Sequence, residues 1–199
     1  MDTSDLIIFV KNPVAGKVKT RIADSLGKEK ALEIYMHLLE STRAAATGTD
    51  CNRHIFYSDK IDMDLWDEHH FSKYVQQGET LGDRMRNAFD VVFSVGGRRV
   101  VIIGSDCPEL TPGIIEAGFD ILDEKDVVIG PAKDGGYYLL GMKKPHPFLF
   151  KDKEWGSDSV FEDTVADLMH NRLSYGRLPE LSDVDTIYDL HLLKDRLGS

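Results

Sequence analysis

The chain has 199 residues, with 34 acidic against 24 basic side chains and a formal net charge of −10. This length suits one domain with a sizeable core, and the acidic balance argues against nucleic-acid binding, which favours a basic surface. No apolar run approaches the roughly 20 residues that span a bilayer, and no basic segment precedes the first apolar stretch as in a signal peptide. The two cysteines fit neither a metal-binding nor a disulfide pattern. We therefore expect a single-domain cytoplasmic protein.

Strands and helices alternate along the predicted chain. In order, the predicted elements are strand 6–10, helix 27–46, strands 53–59 and 74–76, helix 80–95, strand 100–104, helix 111–122, two short strands within 126–142, and helices 159–170 and 186–197. Apolar strands that alternate with helices predict an α/β domain on a largely parallel sheet. In such sheets, ligands bind beyond the carboxyl ends of the strands, where the strand order reverses.

A cationic loop follows the first predicted strand in the segment FVKNPVAGKVKTRIA, which contains no acidic residue. Its basic residues are Lys11, Lys17, Lys19 and Arg21. Gly16 allows close backbone approach, and a loop of this kind binds phosphate through cations and backbone N–H groups. The spacing matches neither a Walker A loop nor the GxGxxG dinucleotide pattern. An exposed loop with scattered lysines is the alternative, but the local excess of cations favours an anion site.

Acidic residues mark two later segments. Asp106, in GSDCPEL, follows the most hydrophobic predicted strand, and Thr111-Pro112 already supplies a start for the next helix. A carboxylate in this position is typical of a Mg²⁺ site. Asp185 precedes the last predicted helix, where it fits either an N-cap or a second metal ligand, and Asp183 is an alternative ligand. The sequence thus predicts a two-carboxylate cation site.

The segment GPAKDGGYYLLG has two interpretations that can both hold. The Asp134-Gly135 pair is typical of a hairpin turn with positive φ. The same glycines, with Gly136, would let the backbone lie against a sugar or base. Further along, Trp155 fits either stacking on a ligand base or ordinary core packing. His69-His70 and the acidic residues before them predict a solvated loop rather than a metal cluster.

A cationic loop and carboxylates at one sheet edge can bind a metal-chelated diphosphate. This chemistry is that of transfer from a nucleotide, in which Mg²⁺ neutralises charge on the leaving group and Lys and Arg hold the remainder. No protein nucleophile is required. None is indicated either, because no Ser/His/Asp order is present and Asp106 disfavours a thiolate at Cys107.

Six motifs occur in order between residues 6 and 190: FVKNPVAGKVKTRIA, GETLGDRM, GSDCPEL, GPAKDGGYYLLG, WGSDSV and LPELSDVDTIYDL. They resemble the motifs of the glycosyltransferase-A-like proteins of the DUF2064 group, a group of nucleotide-diphospho-sugar transferases by assignment. The resemblance implies the GT-A fold, a Rossmann-like three-layer α/β/α sandwich with a mostly parallel mixed sheet. Sugar nucleotidyltransferases share this fold.

The resemblance also implies residue roles. Lys11, Lys17 and Arg21 would contact phosphate, Gly78, Gly82 and Arg84 would lie near the nucleotide, and Asp106 and Asp185 would bind Mg²⁺ or Mn²⁺. From the residue patterns above we add Gly16 and Lys19 to the phosphate site, and we expect Lys11, Arg21 and Asp106 to be catalytic. We likewise expect Asp134, Gly135, Gly136, Trp155 and Ser157 to bind the substrate. The family tends to have Trp-Ser-Thr where this chain has Trp155-Gly156-Ser157, so only Ser157 offers a hydroxyl there.

Three functions are open from the sequence. The first is glycosyl transfer from a nucleotide-diphosphate sugar to a small-molecule acceptor, which the resemblance favours. The second is nucleotidyl transfer from an NTP to a phosphorylated acceptor with release of pyrophosphate, which the cationic loop favours because a triphosphate carries more charge. The third is a non-catalytic nucleotide-binding module, although the presence of both Asp106 and Asp185 favours an enzyme. Nothing in the sequence requires an oligomer.

Overall fold

The computed structural model describes residues 4–193. Its strands and helices are β1 (Ser4–Val10), α1 (Thr20–Leu26), α2 (Lys28–Thr47), β2 (Asn52–Tyr57), β3 (Ser72–Val75), α3 (Leu81–Ser94), β4 (Arg99–Ile103), α4 (Pro112–Glu124), β5 (Val127–Pro131), β6 (Tyr137–Met142), α5 (Val160–His170) and β7 (Tyr175–Arg177). Pro147–Phe150 and Ile187–Leu193 form 3₁₀ helices.

The strands form one mixed sheet in the order β3-β2-β1-β4-β6-β5-β7. Only β6 runs antiparallel to its neighbours, and the other pairings are parallel. This confirms the predicted α/β class with a mostly parallel mixed sheet. From β1 the chain passes to β2 on one side and later to β4 on the other, so the strand order reverses between β1 and β4. A ligand site is expected at the carboxyl ends of these two strands.

The sheet is covered by helices on both faces, which confirms the predicted three layers. Helices α1, α2 and α4 bury apolar residues against one face, and α3 and α5 against the other. Side chains alternate along a strand, so Leu6 and Ile8 of β1 belong to the first core while Ile7 belongs to the second. Among residues 4–193, no helix is long and apolar enough to cross a bilayer.

The predicted elements differ from the structure mainly where segments are short. Helix α1 and strand β7 were not predicted, because seven and three residues carry little periodicity. The predicted helix 186–197 is wrong in type within the described residues, where it is a 3₁₀ helix, and the end of that prediction lies outside them. A carboxylate oxygen of Asp189 accepts hydrogen bonds from the backbone N–H groups of Asp185 and Thr186 and tightens this turn.

Candidate functional site

Three chain segments meet at the switch point between β1 and β4. The backbone N–H of Val184 donates to the carbonyl of Asp106 at 2.9 Å, and the N–H of Ser182 donates to Glu109 Oε2 at 2.8 Å. Leu181 forms a parallel bridge with Ala132, just after β5. The segment 181–185 is therefore held between the loop after β4 and the end of β5, which brings its acidic residues to the mouth of the sheet.

The side chain of Lys19 links Asp106 and Asp185. Its Nζ lies 2.7 Å from Asp106 Oδ1 and 3.0 Å from Asp185 Oδ1. The lysine side chain is only 5% exposed, whereas the two carboxylate side chains are 38% and 42% exposed. Burial disfavours the ammonium, but attraction to Asp106 and Asp185 outweighs it and raises the pKa of Lys19. Two carboxylate oxygens from distant segments thus converge on one cation.

Neither carboxylate is used to cap a helix. Thr111 caps α4, since its hydroxyl accepts from the N–H of Ile114. The hydrogen bonds at the start of the last 3₁₀ helix go to Asp189, so the N-cap interpretation of Asp185 is wrong. Both side chains are therefore available to hold a cation.

The donor set of this pair fits a hard divalent ion. Mg²⁺ is usually bound through one or two carboxylates, with waters and substrate phosphates completing its shell. Within residues 4–193, no group of three or more His, Cys, Asp or Glu is placed to hold a metal. Asp106 and Asp185 would hold an Mg²⁺ or Mn²⁺ ion together with a substrate, because two protein ligands leave most of its coordination open.

The cationic loop presents three further basic side chains to solvent. Lys11, Lys17 and Arg21 are exposed, and in the described part of the chain their side chains form no hydrogen bond or ion pair. A turn between Val14 and Lys17, with φ of 79° at Gly16, carries the loop toward Lys19. Three cations without internal partners are suited to bind an external anion.

Tyr35 connects the cationic loop to the acidic one, a role that the sequence did not reveal. Its hydroxyl accepts from the backbone N–H of Lys11 at 2.8 Å and lies 3.2 Å from Ser105 Oγ. Burial raises the pKa of Tyr35 to about 12, so the hydroxyl stays protonated. In the sequence, Tyr35 is one member of the apolar face of the predicted helix 27–46. Its hydroxyl, on a face that is otherwise mostly aliphatic, was the only feature that could have indicated this contact between the two loops.

A cavity of about 230 Å³ opens beside the acidic residues. Its apolar walls include Phe9, Leu81, Met85, Ile102, Tyr137 and Trp155. Its polar lining includes Asp134, Ser157 and Asp183, and among residues 4–193 no basic residue lines it. The cavity is therefore suited to an uncharged or cationic group rather than to a phosphate.

Asp183 faces this cavity, whereas Asp185 faces Lys19. Burial, and then repulsion from Asp106, Asp134 and Asp185, raises the pKa of Asp183 to about 7. Among residues 4–193, no donor forms a hydrogen bond to its carboxylate. Asp185 shares the Lys19 ammonium with Asp106, whereas Asp183 lines the cavity and lies close enough to Asp106 for the two carboxylates to repel each other.

The residues predicted from GETLGDRM lie together at the start of α3. Arg84 Nε donates to the carbonyl of Gly78 at 3.1 Å. Gly82 is buried, and a Cβ at this position would lie 2.5 Å from Trp155 Nε1. Gly82 therefore acts on the cavity through Trp155, because it allows the indole to pack on the helix.

The predicted hairpin turn between β5 and β6 is confirmed. Gly135 has a φ of 89°, and Asp134 Oδ1 accepts from the N–H of Gly136 at 2.9 Å. A Cβ on Gly135 would meet the Asp158 carbonyl at 2.1 Å, so this glycine faces protein. Asp134 and Gly136 line the cavity, and a role for this loop in binding a sugar or base stays a prediction.

Comparisons with known proteins identify the family and the fold of the chain. Residues 41–157 match the family described as "Uncharacterized protein conserved in bacteria (DUF2064)". The chain belongs to the DUF2064 family. This DUF2064 protein is 35% identical to a "putative nucleotide-diphospho-sugar transferase" from Desulfovibrio desulfuricans G20, with a TM-score of 0.89, over 100% of this chain and 90% of that chain. No curated protein matches the chain.

More distant structures share the fold of this DUF2064 protein. Rv0371c from Mycobacterium tuberculosis H37Rv, in complex with manganese, is 15% identical with a TM-score of 0.55, over 99% of this chain and 100% of that chain. The inositol-1-phosphate CTP transferase from T. maritima is 10% identical with a TM-score of 0.60, over 100% of this chain and 99% of that chain. At such identities the similarity shows the fold alone.

Proposed function

We propose that this DUF2064 protein transfers a glycosyl group from a nucleotide-diphosphate sugar to a small-molecule acceptor, with Mg²⁺ or Mn²⁺ as cofactor. The observation that carries the proposal is the convergence of Asp106 and Asp185 on one cation at the switch point, next to the cationic loop. The assignment of the Desulfovibrio relative as a nucleotide-diphospho-sugar transferase supports it. The manganese complex of the M. tuberculosis protein supports the choice of metal.

Basic and acidic residues have separate roles in binding the diphosphate. Lys11, Lys17 and Arg21 are exposed cations with no partner among residues 4–193, and they bind the outer phosphate oxygens. Asp106 and Asp185 would hold the metal, which would supply positive charge to neutralise the negative charge that grows on the departing nucleoside diphosphate. Preorganised charges of this kind act most strongly in a site from which water is partly excluded.

The reaction needs no covalent intermediate on the protein. Cys107, beside Asp106, is the nearest thiol in the sequence, but burial, and then repulsion from Asp183, raises its pKa to about 12. It is therefore a neutral thiol at physiological pH and a poor nucleophile. Direct transfer from the nucleotide sugar to the acceptor agrees with this environment.

The cavity is the site for the sugar or the acceptor in this proposal. Asp134 and Asp183 offer carboxylate oxygens to hydroxyl groups, and Trp155 and Tyr137 offer apolar faces. Because the part of the lining that lies within residues 4–193 contains no cation, a phosphorylated acceptor in this cavity would find no counter-charge there. The cavity therefore favours glycosyl transfer over the alternative.

The decisive experiment identifies the leaving group. The full chain is incubated with Mn²⁺ and radiolabelled nucleotide sugars or NTPs, and the products are separated. Glycosyl transfer, or hydrolysis without acceptor, releases nucleoside diphosphate, and we expect Asp106→Asn and Asp185→Asn to lower this release about 100-fold, a loss of about 3 kcal/mol of transition-state stabilisation. The control is Lys144→Met, because Lys144 follows β6 at the opposite edge of the sheet. This variant should retain activity. Full turnover by Asp106→Asn would overturn the metal assignment.

Nucleotidyl transfer is the second candidate. The three unpaired cations of the loop favour it, because they can neutralise more charge than a diphosphate carries. The CTP transferase from T. maritima, which shares the fold, also supports it. Release of pyrophosphate from an NTP would identify it in the same assay. Ligand binding without either product would instead identify a non-catalytic nucleotide-binding module.

A further inference from the structure

The sequence assigns Lys19 to the phosphate with its neighbours, but the structure shows a different environment. Lys11, Lys17 and Arg21 are exposed, whereas the Lys19 side chain is enclosed with Nζ between Asp106 Oδ1 and Asp185 Oδ1. These are the two carboxylates that the proposed function gives to the metal. We infer that Lys19 is an internal counter-ion that occupies the metal position until a diphosphate draws it away, so that metal and diphosphate bind together. The inference rests on the proposed function in taking the ligand to be a metal-bound diphosphate.

The first step is competition for one space. A divalent ion that replaced Lys19 as the partner of Asp106 Oδ1 and Asp185 Oδ1 would take the place that the ammonium now occupies. The ammonium and the ion are both positively charged, and the distances leave no gap for a second cation. Metal binding at this pair therefore requires the Lys19 side chain to leave.

The second step concerns what holds Lys19 in place. Its backbone is fixed, because its carbonyl accepts from the N–H groups of Ile22 and Ala23 and begins α1. Its left-handed conformation, with φ of 47° and ψ of 48°, is unfavourable for a residue with a Cβ and directs the long side chain inward. The flexible stem can still swing to a new partner, so the side chain can exchange while the helix start stays in place.

The third step is the new partner. Asp106 and Asp185 contact the Lys19 ammonium. Asp183 lies close enough to Asp106, Asp134 and Asp185 for these carboxylates to repel it. If the Lys19 side chain moves away and no anion is present, its ammonium loses the ion pairs with Asp106 and Asp185 and gains no new partner. A diphosphate bound by Lys11, Lys17 and Arg21 supplies that anion at the same loop. Metal alone therefore binds poorly, and metal with diphosphate binds well.

The test measures Mn²⁺ binding rather than turnover. Equilibrium dialysis with radioactive Mn²⁺ is performed on the full chain, with or without pyrophosphate at equal concentration in both chambers. We expect pyrophosphate to increase the Mn²⁺ affinity of the wild type at least tenfold. Lys19→Met should bind Mn²⁺ alone at least tenfold more tightly than the wild type and gain little from pyrophosphate. Lys144→Met makes the same change in charge at the opposite sheet edge and should behave as the wild type.

Two results would overturn the inference: a wild type whose Mn²⁺ affinity ignores pyrophosphate, or a folded Lys19→Met protein that binds Mn²⁺ no more tightly than the wild type. If Lys19→Met does not fold, as judged by circular dichroism, the wild-type comparison still decides. Failure of the proposed function gives a different pattern, in which dialysis behaves as expected but no nucleotide sugar yields nucleoside diphosphate. Nucleoside diphosphate release with unchanged Mn²⁺ binding in Lys19→Met would sink the inference alone.

Discussion

Asp183 and Asp185 lie two residues apart but face different surroundings. Asp185 is paired with Lys19, whereas Asp183 faces the cavity among other carboxylates and has its pKa raised to about 7 from an ordinary 3.8. A single residue step reverses the side of the strand-like segment on which a side chain lies, and a step of two usually restores it. Residues 182–185 form no strand, so the strict alternation does not apply to them, and the turn formed by Thr186 and Asp189 follows directly.

The raised pKa of Asp183 predicts a pH-dependent stability. In the folded state the carboxyl holds its proton to higher pH than in the unfolded state, so the free energy of unfolding falls as pH rises from about 4 to about 7. Asp183→Asn removes this loss and should stabilise the protein at pH 8 by about 2 kcal/mol, roughly half of the ideal linkage value because the side chain is partly solvated. Urea unfolding in EDTA at pH 5 and pH 8 measures the effect.

The control for this prediction is Asp90→Asn on the exposed face of α3. It should leave the difference between the two pH values unchanged. If Asp183→Asn shows the same pH dependence as the wild type, the folded-state carboxyl of Asp183 titrates normally and this account of its environment is wrong.

Tyr35 gives a second prediction for a single residue. Tyr35→Phe removes the hydroxyl that accepts from the Lys11 N–H and contacts Ser105. The partly buried N–H loses its partner, which should cost about 1–2 kcal/mol of stability. The cationic loop also loses its tie to the acidic loop, so pyrophosphate binding, measured by calorimetry with Mn²⁺, should weaken several-fold. Tyr188→Phe, at a tyrosine that is 82% exposed, should change neither quantity, and unaltered anion binding in Tyr35→Phe would contradict the role given to Tyr35.

At the scale of elements, α3 and α4 contain a matched pair of glycines. Gly82 and Gly113 are each the second residue of their helix. A Cβ on Gly82 would lie 2.5 Å from Trp155 Nε1 and 2.6 Å from the Phe150 carbonyl, whereas a Cβ on Gly113 would meet nothing within 4 Å. The two positions therefore separate helix propensity from packing.

Alanine at these positions should have opposite effects. Gly82→Ala forces Trp155 and the cavity wall to shift and should destabilise the protein by about 1–3 kcal/mol. Gly113→Ala removes backbone freedom from the unfolded chain without a clash and should stabilise by up to about 1 kcal/mol. Urea unfolding gives both values, and tryptophan fluorescence reports the Trp155 environment. A stabilising Gly82→Ala would show that Trp155 does not pack as described.

The sequence predicted the elements that are long enough to show a periodic pattern or that begin with a clear start signal. Thr111-Pro112 marks the start of α4 and an apolar run marks β4, so both were located within two residues. Helix α1 escaped prediction because its start is Lys19 in a left-handed conformation with no side-chain cap, and no residue-type rule predicts a lysine there. The antiparallel direction of β6 follows from the confirmed Asp134-Gly135 turn, which a sequence can indicate.

At the scale of the whole molecule, the site exists only because the fold joins distant segments. Asp106 and Asp185 were predictable as candidates because each follows or precedes a recognisable element. Their pairing through Lys19 was not, since it depends on the segment 181–185 being held against the loop after β4 by the Val184 to Asp106 backbone bond. The cavity likewise combines residues from β1, α3, β4, β6 and the loop before α5, which periodicity within one segment cannot reveal.

Charge is also distributed at this scale, and it leads to a prediction about combined ligands. The protein carries a net charge of −10, yet within residues 4–193 the loop after β1 presents three unpaired cations. The ammonium of Lys19, from the same loop, is paired with Asp106 and Asp185, next to Asp183. In the inference above, Mn²⁺ alone displaces Lys19 from its two carboxylates without giving the ammonium an anion. A diphosphate alone places negative charge beside the same carboxylates. Mn²⁺ and a nucleotide-diphosphate sugar should therefore raise the thermal midpoint much more together than separately.

The size of this joint effect follows from mass action. At about 100 times the dissociation constant, a ligand specific for the folded state stabilises by about 2.7 kcal/mol, which raises the midpoint by about 5–10 °C in a chain of this length. Thermal unfolding is measured with Mn²⁺, with a panel of nucleotide sugars and with both. Asp106→Asn should lose most of the joint rise, because its amide oxygen binds the metal more weakly, while Asp90→Asn should keep it. A full rise with Mn²⁺ alone would mean that the two carboxylates admit the ion without a diphosphate, and the coupling of the two halves of the site would then be absent.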